Sequence, residues 1–283
     1  MSDVTPAAVL EDCPYALDWS AEHDHLEVAA YDDGVVLVTL SHPGRRNAMS
    51  DRMTAAWPRL MTALRADRAV RAVVVTGAGA AFCSGGDTGW IGGEPDATVA
   101  DLRDRMLGFY RAWLSVRDLE VPTIAALNGA AVGAGAALAL ACDLRYAAAS
   151  ARFSVPFARL GMHAGMATTW LLPEVVGVAA ARELLITGRV VDAEEMVRLG
   201  LASSVSGDDG FLDGVLHLAH SVAAAAPVAL RLSTVALAGG GHADYETALQ
   251  WEALAQSVTL ATQDLQEGLA AAREKRSPRF SGR

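Results

Sequence analysis

Short apolar runs alternate with helix-spaced segments through the first half of the chain. Leu26 to Ala30 and Val35 to Leu40 predict two strands around the turn Asp32-Asp33-Gly34. From Asp51 to Ala66 the apolar positions Met53, Ala56, Trp57, Leu60 and Leu64 fall on one side of a helix, with Ser50 placed to cap it. Ala72 to Thr76 is a continuous apolar run, the pattern of a strand covered on both faces. A Gly-rich loop over 77–93 follows, then a helix from Val99 to about Arg117, a strand at Thr123 to Leu127 and a second Gly-rich loop. A helix near Gly135 to Ala141 and a strand at Leu144 to Ala148 complete the series. Such alternation predicts an α/β unit with parallel pairing and right-handed crossovers.

From Ala167 onward the pattern is almost wholly helical: Thr169–Val175, Ala179–Ile186, Ala193–Leu199, Phe211–Ala225, Pro227–Leu237, Tyr245–Ala261 and Asp264–Lys275. Asp192 and Asp264 stand where N-caps are expected, and Pro227 suits a first helical turn. Residues 1–25 read as a polar, irregular N-terminal extension, 26–210 as the core and 211–283 as a helical C-terminal region, with no linker between the last two.

Composition supports a large buried core, since 52% of the 283 residues are apolar and 20% charged. The formal charge of -10 argues against a nucleic-acid partner, which needs a concentrated basic face. Cys13, Cys83 and Cys142 are widely spaced and form no CxxC pair, so the expectation is reduced thiols with neither a disulfide framework nor a metal site. The first ten residues carry Asp3 and no basic region ahead of an apolar stretch, which predicts no signal peptide and a cytoplasmic location. The uncharged run Ile124 to Cys142 contains the GxxxG pair Gly129 and Gly133. It is mostly Ala and Gly and contains Asn128, so a buried strand, turn and core helix is expected rather than a membrane span.

Gly77-Ala78-Gly79 lacks the third glycine of a dinucleotide fingerprint, and no GxxxxGK[ST], HExxH or GxSxG segment occurs. His23 and His25 read as solvated histidines on the extension rather than metal ligands. The clearer signal is a pair of Gly-rich loops, each after a strand: Gly79-Ala80-Ala81-Phe82-Cys83-Ser84-Gly85-Gly86-Asp87 and Asn128-Gly129-Ala130-Ala131-Val132-Gly133-Ala134-Gly135-Ala136-Ala137. Small residues let backbone N–H groups approach a ligand, and two such groups suit a developing thioester enolate. Tight turns and close packing explain the same glycines equally well from spacing alone.

These loops, with Cys142-Asp143, resemble the enoyl-CoA hydratase/isomerase, or crotonase, superfamily. Further matches are His42-Pro43-Gly44-Arg45-Arg46-Asn47-Ala48, Phe153-Ser154-Val155-Pro156, Leu184-Leu185-Ile186-Thr187-Gly188, Gly200-Leu201, Glu267-Gly268 and the tail Glu274 to Phe280. The resemblance implies a spiral of ββα units followed by a helical trimerisation region, assembling as trimers or as hexamers of paired trimers. It implies an acyl-CoA thioester as substrate or ligand, with coenzyme A part of that molecule and no cofactor bound permanently. Carried over by motif position, the oxyanion-hole N–H groups belong to Gly86 and Ala134. Arg45, Arg46, Asn47 and Ala48 match the stretch that lines the adenine and phosphates of CoA. Lys275 and Phe280 match tail residues that close over CoA or the acyl chain, and Trp90 and Phe157 fall at the acyl pocket.

The chain departs from the hydratase pattern at the acids. The two glutamates that activate water and deliver a proton are replaced by Ala137 and Phe157. Some isomerases and a dehalogenase of the superfamily use a carboxylate eight residues further on, where this chain has Gly165. His163 carries an imidazole, a group that can act as acid or base, and is a candidate substitute, although a hydrogen-bonded surface histidine is the plainer expectation. Asp87 is expected to cap its loop, Asp143 to secure a turn and Trp170 to pack in the core. Three readings stay open: an acyl-CoA lyase or isomerase with a rearranged acid–base set, a non-catalytic acyl-CoA carrier, and a scaffold that keeps only the trimer interface.

Overall fold

The least polar runs lie at the centre of a sheet covered on both faces. The computed structural model describes residues 24–87, 89, 96–238 and 244–283. In chain order these form β1 (Leu26–Ala30), β2 (Val35–Leu40), α1 (Asp51–Ala66), β3 (Ala72–Gly77), β4 (Ala81–Cys83) and α2 (Val99–Leu114). There follow β5 (Thr123–Leu127), β6 (Ala130–Val132), α3 (Ala134–Ala141), β7 (Leu144–Ala148), β8 (Arg152–Ser154), α4 (Thr168–Thr187) and β9 (Val191–Asp192). The chain closes with α5 (Ala193–Arg198), β10 (Val205–Ser206), α6 (Phe211–Ala223), α7 (Pro227–Leu237), α8 (Tyr245–Leu260) and α9 (Gln263–Glu274).

One sheet has the order β1-β2-β3-β5-β7-β10 and the other β4-β6-β8-β9. Successive strand pairs β3–β4, β5–β6 and β7–β8 each give one strand to either sheet, so the chain advances as a spiral. The central strands pair in parallel, as their continuous apolar character requires. Strands β4, β6, β8, β9 and β10 lie in stretches whose sequence predicts loop or helix. With two or three residues each, they are too short to show a period and are held by pairing.

The helices α1 and α2 pack through two tryptophans. Trp57 and Trp113 are fully buried with ring centroids 5.0 Å apart. Neither indole N–H is wasted: Trp57 donates to the Trp113 carbonyl at 3.2 Å and Trp113 to Thr54 Oγ1 at 3.0 Å. This clasp fixes α2, whose inner face reaches the functional loops. On the opposite face of the six-stranded sheet, Phe211, Val215, Ala219 and Ala223 of α6 pack on Val35, Ala72, Val74, Ile124 and Ala126.

The expected caps Ser50 and Asp192 accept N–H bonds from Met53 and Glu195, and Pro227 opens α7. Asp264 is not the cap of α9. Thr262 fills that role, accepting from Leu265 N–H, and the buried Asp264 carboxylate instead accepts N–H bonds from Ser281 (2.7 Å) and Gly282 (2.8 Å) of the tail. The helical run after Thr168 breaks at Gly177 (φ 75°, ψ 160°), matching the two separate helices that the spacing predicts. Trp170 is not in the core: it is 45% exposed, with the Arg117 guanidinium 5.3 Å from its ring centroid. Among the described residues no single helix is long and apolar enough to cross a membrane, although the bent pair α6–α7 passes by composition together.

Candidate functional site

Because β4 and β6 are parallel neighbours, the turns that follow them leave from the same end of the sheet. The first turn is Ser84-Gly85-Gly86-Asp87, and the second is Gly133, which leads into α3. Gly85 has φ +101°, and a Cβ on it would lie 2.8 Å from the Val132 carbonyl oxygen and 3.4 Å from Ala134 N. The two turns are therefore in backbone contact, and no side chain fits between them.

Ala134 is the first residue of α3 and its N–H has no acceptor within the helix, since the helical ladder starts with Ala137 N–H on the Gly133 carbonyl at 3.0 Å. The unusual backbone angles fall on Gly133 (φ 56°, ψ -115°), while Ala134 has ordinary helical geometry. An alanine at this position thus costs no strain and keeps the N–H. The helix dipole adds positive potential at the same end.

The loop bearing Arg45 and Arg46 is what positions Gly86. Ser84 N–H donates to the Arg46 carbonyl at 3.0 Å and Met49 N–H to the Gly85 carbonyl at 2.8 Å, with Met49 and Gly86 opposed as a parallel bridge. In such a bridge the ladder bonds pass through the residues flanking Gly86, which leaves its own N–H for a ligand. Asn47 holds the loop from inside. It is wholly buried, accepts from His42 N–H at 2.9 Å and donates to the carbonyls of Ala78 (2.9 Å) and Ala81 (2.7 Å). Ala48 is also buried, so of the four residues matched to the CoA-binding stretch only Arg45 and Arg46 present side chains to solvent.

Arg45 Nη1 pairs with Asp87 Oδ2 at 2.9 Å, and Asp87 Oδ1 accepts from Gly89 N–H at 2.9 Å, the loop-capping role expected of it. His42 stacks on His25 with centroids 4.1 Å apart. Burial, then the neighbouring His25 and Arg45 charges, pull the His42 pKa below its ordinary value. Cys83 Sγ donates to the Asn47 carbonyl at 3.0 Å, and burial pushes its thiol up to about 12, so it is a packing residue and not a nucleophile. Asp143 Oδ2 accepts from both the N–H and the hydroxyl of Thr123 at 2.7 Å, tying the end of α3 to β5.

Of the three positions matched to acids, Ala137 and Phe157 lie beside these loops and Gly165 lies against α2, and none is an acid. Ala137 lies one turn into α3 and is fully buried. Phe157 opens a 3-10 turn (Phe157–Leu160), with ring atoms 3.9 and 4.0 Å from where a Cβ on Gly133 would stand. Gly165 is buried against Tyr110 of α2, whose hydroxyl occupies the space a side chain at 165 would need. Sequence reasoning missed Tyr110: an aromatic one turn before Trp113 looks like any packing residue.

His163 is exposed, with Nδ1 2.7 Å from the Ala164 carbonyl. Trp90 lies outside the described residues. Lys275 is exposed at the left-handed C-cap of α9, and Phe280 folds back on that helix, 3.5 Å from where a Cβ on Gly268 would stand. Within the single chain, the tail is fastened to α9 by Arg276 on Glu267 and Glu274, and by Arg279 N–H on Glu267.

The family described as enoyl-CoA hydratase/isomerase matches residues 30–283. A Mycobacterium tuberculosis protein described as a probable enoyl-CoA hydratase is 39% identical over 267 residues, covering 93% of this chain and 97% of the relative. The 1,2-epoxyphenylacetyl-CoA isomerase of Escherichia coli is 34% identical over 253 residues, covering 89% and 97%. Among solved structures, an enoyl-CoA hydratase from Bacillus anthracis superposes with a TM-score of 0.86 at 32% identity, over 92% of this chain and all of that one.

Proposed function

The chain belongs to the enoyl-CoA hydratase/isomerase family, and from that premise we propose that it binds an acyl-CoA thioester and stabilises the enolate form of its acyl group without hydrating it. The observation that carries this reading is the contact of the two Gly-rich turns at Gly85 and Ala134. The thioester carbonyl oxygen accepts from the N–H groups of Gly86 and Ala134. As electron density moves onto that oxygen, each donor lowers the barrier by about 3 kcal/mol, because the dipoles are already oriented and need no reorganisation. Arg45 and Arg46, exposed on the loop that braces Gly86, are the residues we assign to the phosphates of CoA.

Hydration asks for more than an oxyanion hole. It needs a base for the water and an acid for the α-carbon. Ala137, Phe157 and Gly165 provide neither, and the Phe157 ring makes the wall beside Gly133 apolar. A lyase or isomerase reaction through the enolate needs one group to take the α-carbon proton and return it, not the acid–base pair of hydration, and the exposed His163 imidazole is the residue we assign to that transfer.

The same three positions support a second reading, in which the protein holds an acyl-CoA without turning it over. Gly86→Pro separates the two. The substitution deletes one donor N–H, so an enzyme loses about 10²–10³-fold in turnover while CoA affinity stays within a few-fold. Multiple turnovers by the unmodified protein end the carrier reading, whereas unchanged turnover in Gly86→Pro ends the oxyanion reading.

A homo-oligomer, trimer or dimer of trimers, is part of the proposal, with the cytoplasm as its place of action. Helix α8 has no buried residue in the single chain, although Leu249, Leu254, Val258 and Leu260 are apolar. An exposed apolar helix of this kind is the mark of a surface covered by another chain.

A further inference from the structure

We propose that Tyr110 is a specificity-determining residue: its hydroxyl selects acyl groups that carry an oxygen acceptor beyond the thioester. This rests on the thioester reading above and adds the chemical class of the acyl group.

Geometry carries the proposal. The Trp57–Trp113 clasp fixes α2, and Tyr110 lies one turn before Trp113. Its hydroxyl fills the space beside Gly165, where an added Cβ would also stand 2.9 Å from the phenol Cζ and 3.1 Å from Cε1. Tyr110, Met106, Ala134 and Phe157 are all half-buried against one hydrophobic cluster, and α2 packs on α3. The hydroxyl thus stands beside Gly165, the position where the family resemblance puts a carboxylate in some isomerases.

The hydroxyl is poorly partnered for so apolar a setting. Among the described residues its hydrogen bond goes to Met106 Sδ at 3.8 Å, a weak acceptor at long range. Phe109 meets the ring edge-on, with centroids 6.2 Å apart, and Gly165 offers no side chain. Burial raises the phenol pKa above its ordinary value, so the group stays protonated and acts as a donor at neutral pH. A donor packed among apolar groups and held by a weak, exchangeable sulfur contact rewards a ligand that brings an oxygen and penalises one that leaves the hydroxyl dry.

The test uses the full-length protein, calorimetry and matched saturated acyl-CoA thioesters of four and six carbons. Each is taken plain and with a hydroxyl at C3, C4 or C5 where the chain allows. Unmodified protein is expected to prefer at least one hydroxylated thioester over its plain partner by about tenfold. Tyr110→Phe keeps the ring and is expected to erase that preference, with the plain thioesters bound at least as tightly as by unmodified protein because no hydroxyl is left dry. Met106→Leu, which removes the sulfur but not the hydroxyl, is expected to retain it. Equal binding of plain and hydroxylated thioesters, or a preference that survives in Tyr110→Phe, overturns the specificity role alone. If no thioester binds to unmodified protein, the acyl-CoA reading falls and takes this inference with it.

Discussion

Phe157 lies against Gly133, with its ring 3.9 Å from where a Cβ on that glycine would stand. A hydrocarbon ring therefore faces the turn that presents the Ala134 N–H. Under the proposed function, an acyl group bound against this ring shields the two backbone donors from water, which strengthens their electrostatic effect and disfavours hydration.

If the geometry round the two turns is that of a hydratase with its acids removed, restoring the acids restores the reaction. The double variant Ala137→Glu/Phe157→Glu is expected to hydrate crotonyl-CoA slowly, where the unmodified protein does not. Ala137→Glu alone places a carboxylate at a fully buried position and is expected to lower stability by about 2–4 kcal/mol. Chromatography of the products reads the first effect and denaturant unfolding the second. A folded double variant that binds CoA but shows no hydration would show that the pocket differs beyond these two side chains.

Much of this was legible beforehand, and the exceptions share a cause. The β2 and β5 boundaries follow from apolar runs that only a buried strand explains, and Ser50 and Asp192 cap where their residue type demands. Strands β4 and β6 escaped because three residues of Ala, Phe, Cys or Val carry no period, yet they carry the two turns of the site. The motif points to Gly86 and Ala134, and the fold brings their two turns into contact. Tyr110 was not legible, since its meaning depends on Gly165, a residue 55 positions away (165 − 110) that only the fold brings beside it. Asp264 misled for a related reason: its partners are Ser281 and Gly282, and cap chemistry reads only nearby residues.

His42 makes stability depend on pH. Its folded-state pKa lies below the unfolded value of 6.5, chiefly through burial, so the fold favours the neutral ring. The contribution is fully present above pH 6.5 and is lost as pH falls from 6.5 through the folded pKa. His42→Phe keeps an aromatic ring against His25 and cannot titrate. Denaturant midpoints measured across that acidic window should fall less steeply for this variant than for the unmodified protein. Parallel curves would mean that His42 gains its proton without opposing the fold.

Helix α8 offers a test of assembly. Replacing Leu254 and Val258, both exposed and apolar, by lysine should reduce the native mass in light scattering and leave the helical content of each chain intact. An unchanged mass would remove this face from the interface.

The most direct test of enolate stabilisation without hydration is to incubate the pure protein with enoyl- and acyl-CoA thioesters in heavy water and follow their masses. The account predicts that deuterium enters the acyl group while the thioester gains no water. An enoyl-CoA that gains the mass of one water molecule, at a rate set by the protein, would contradict it.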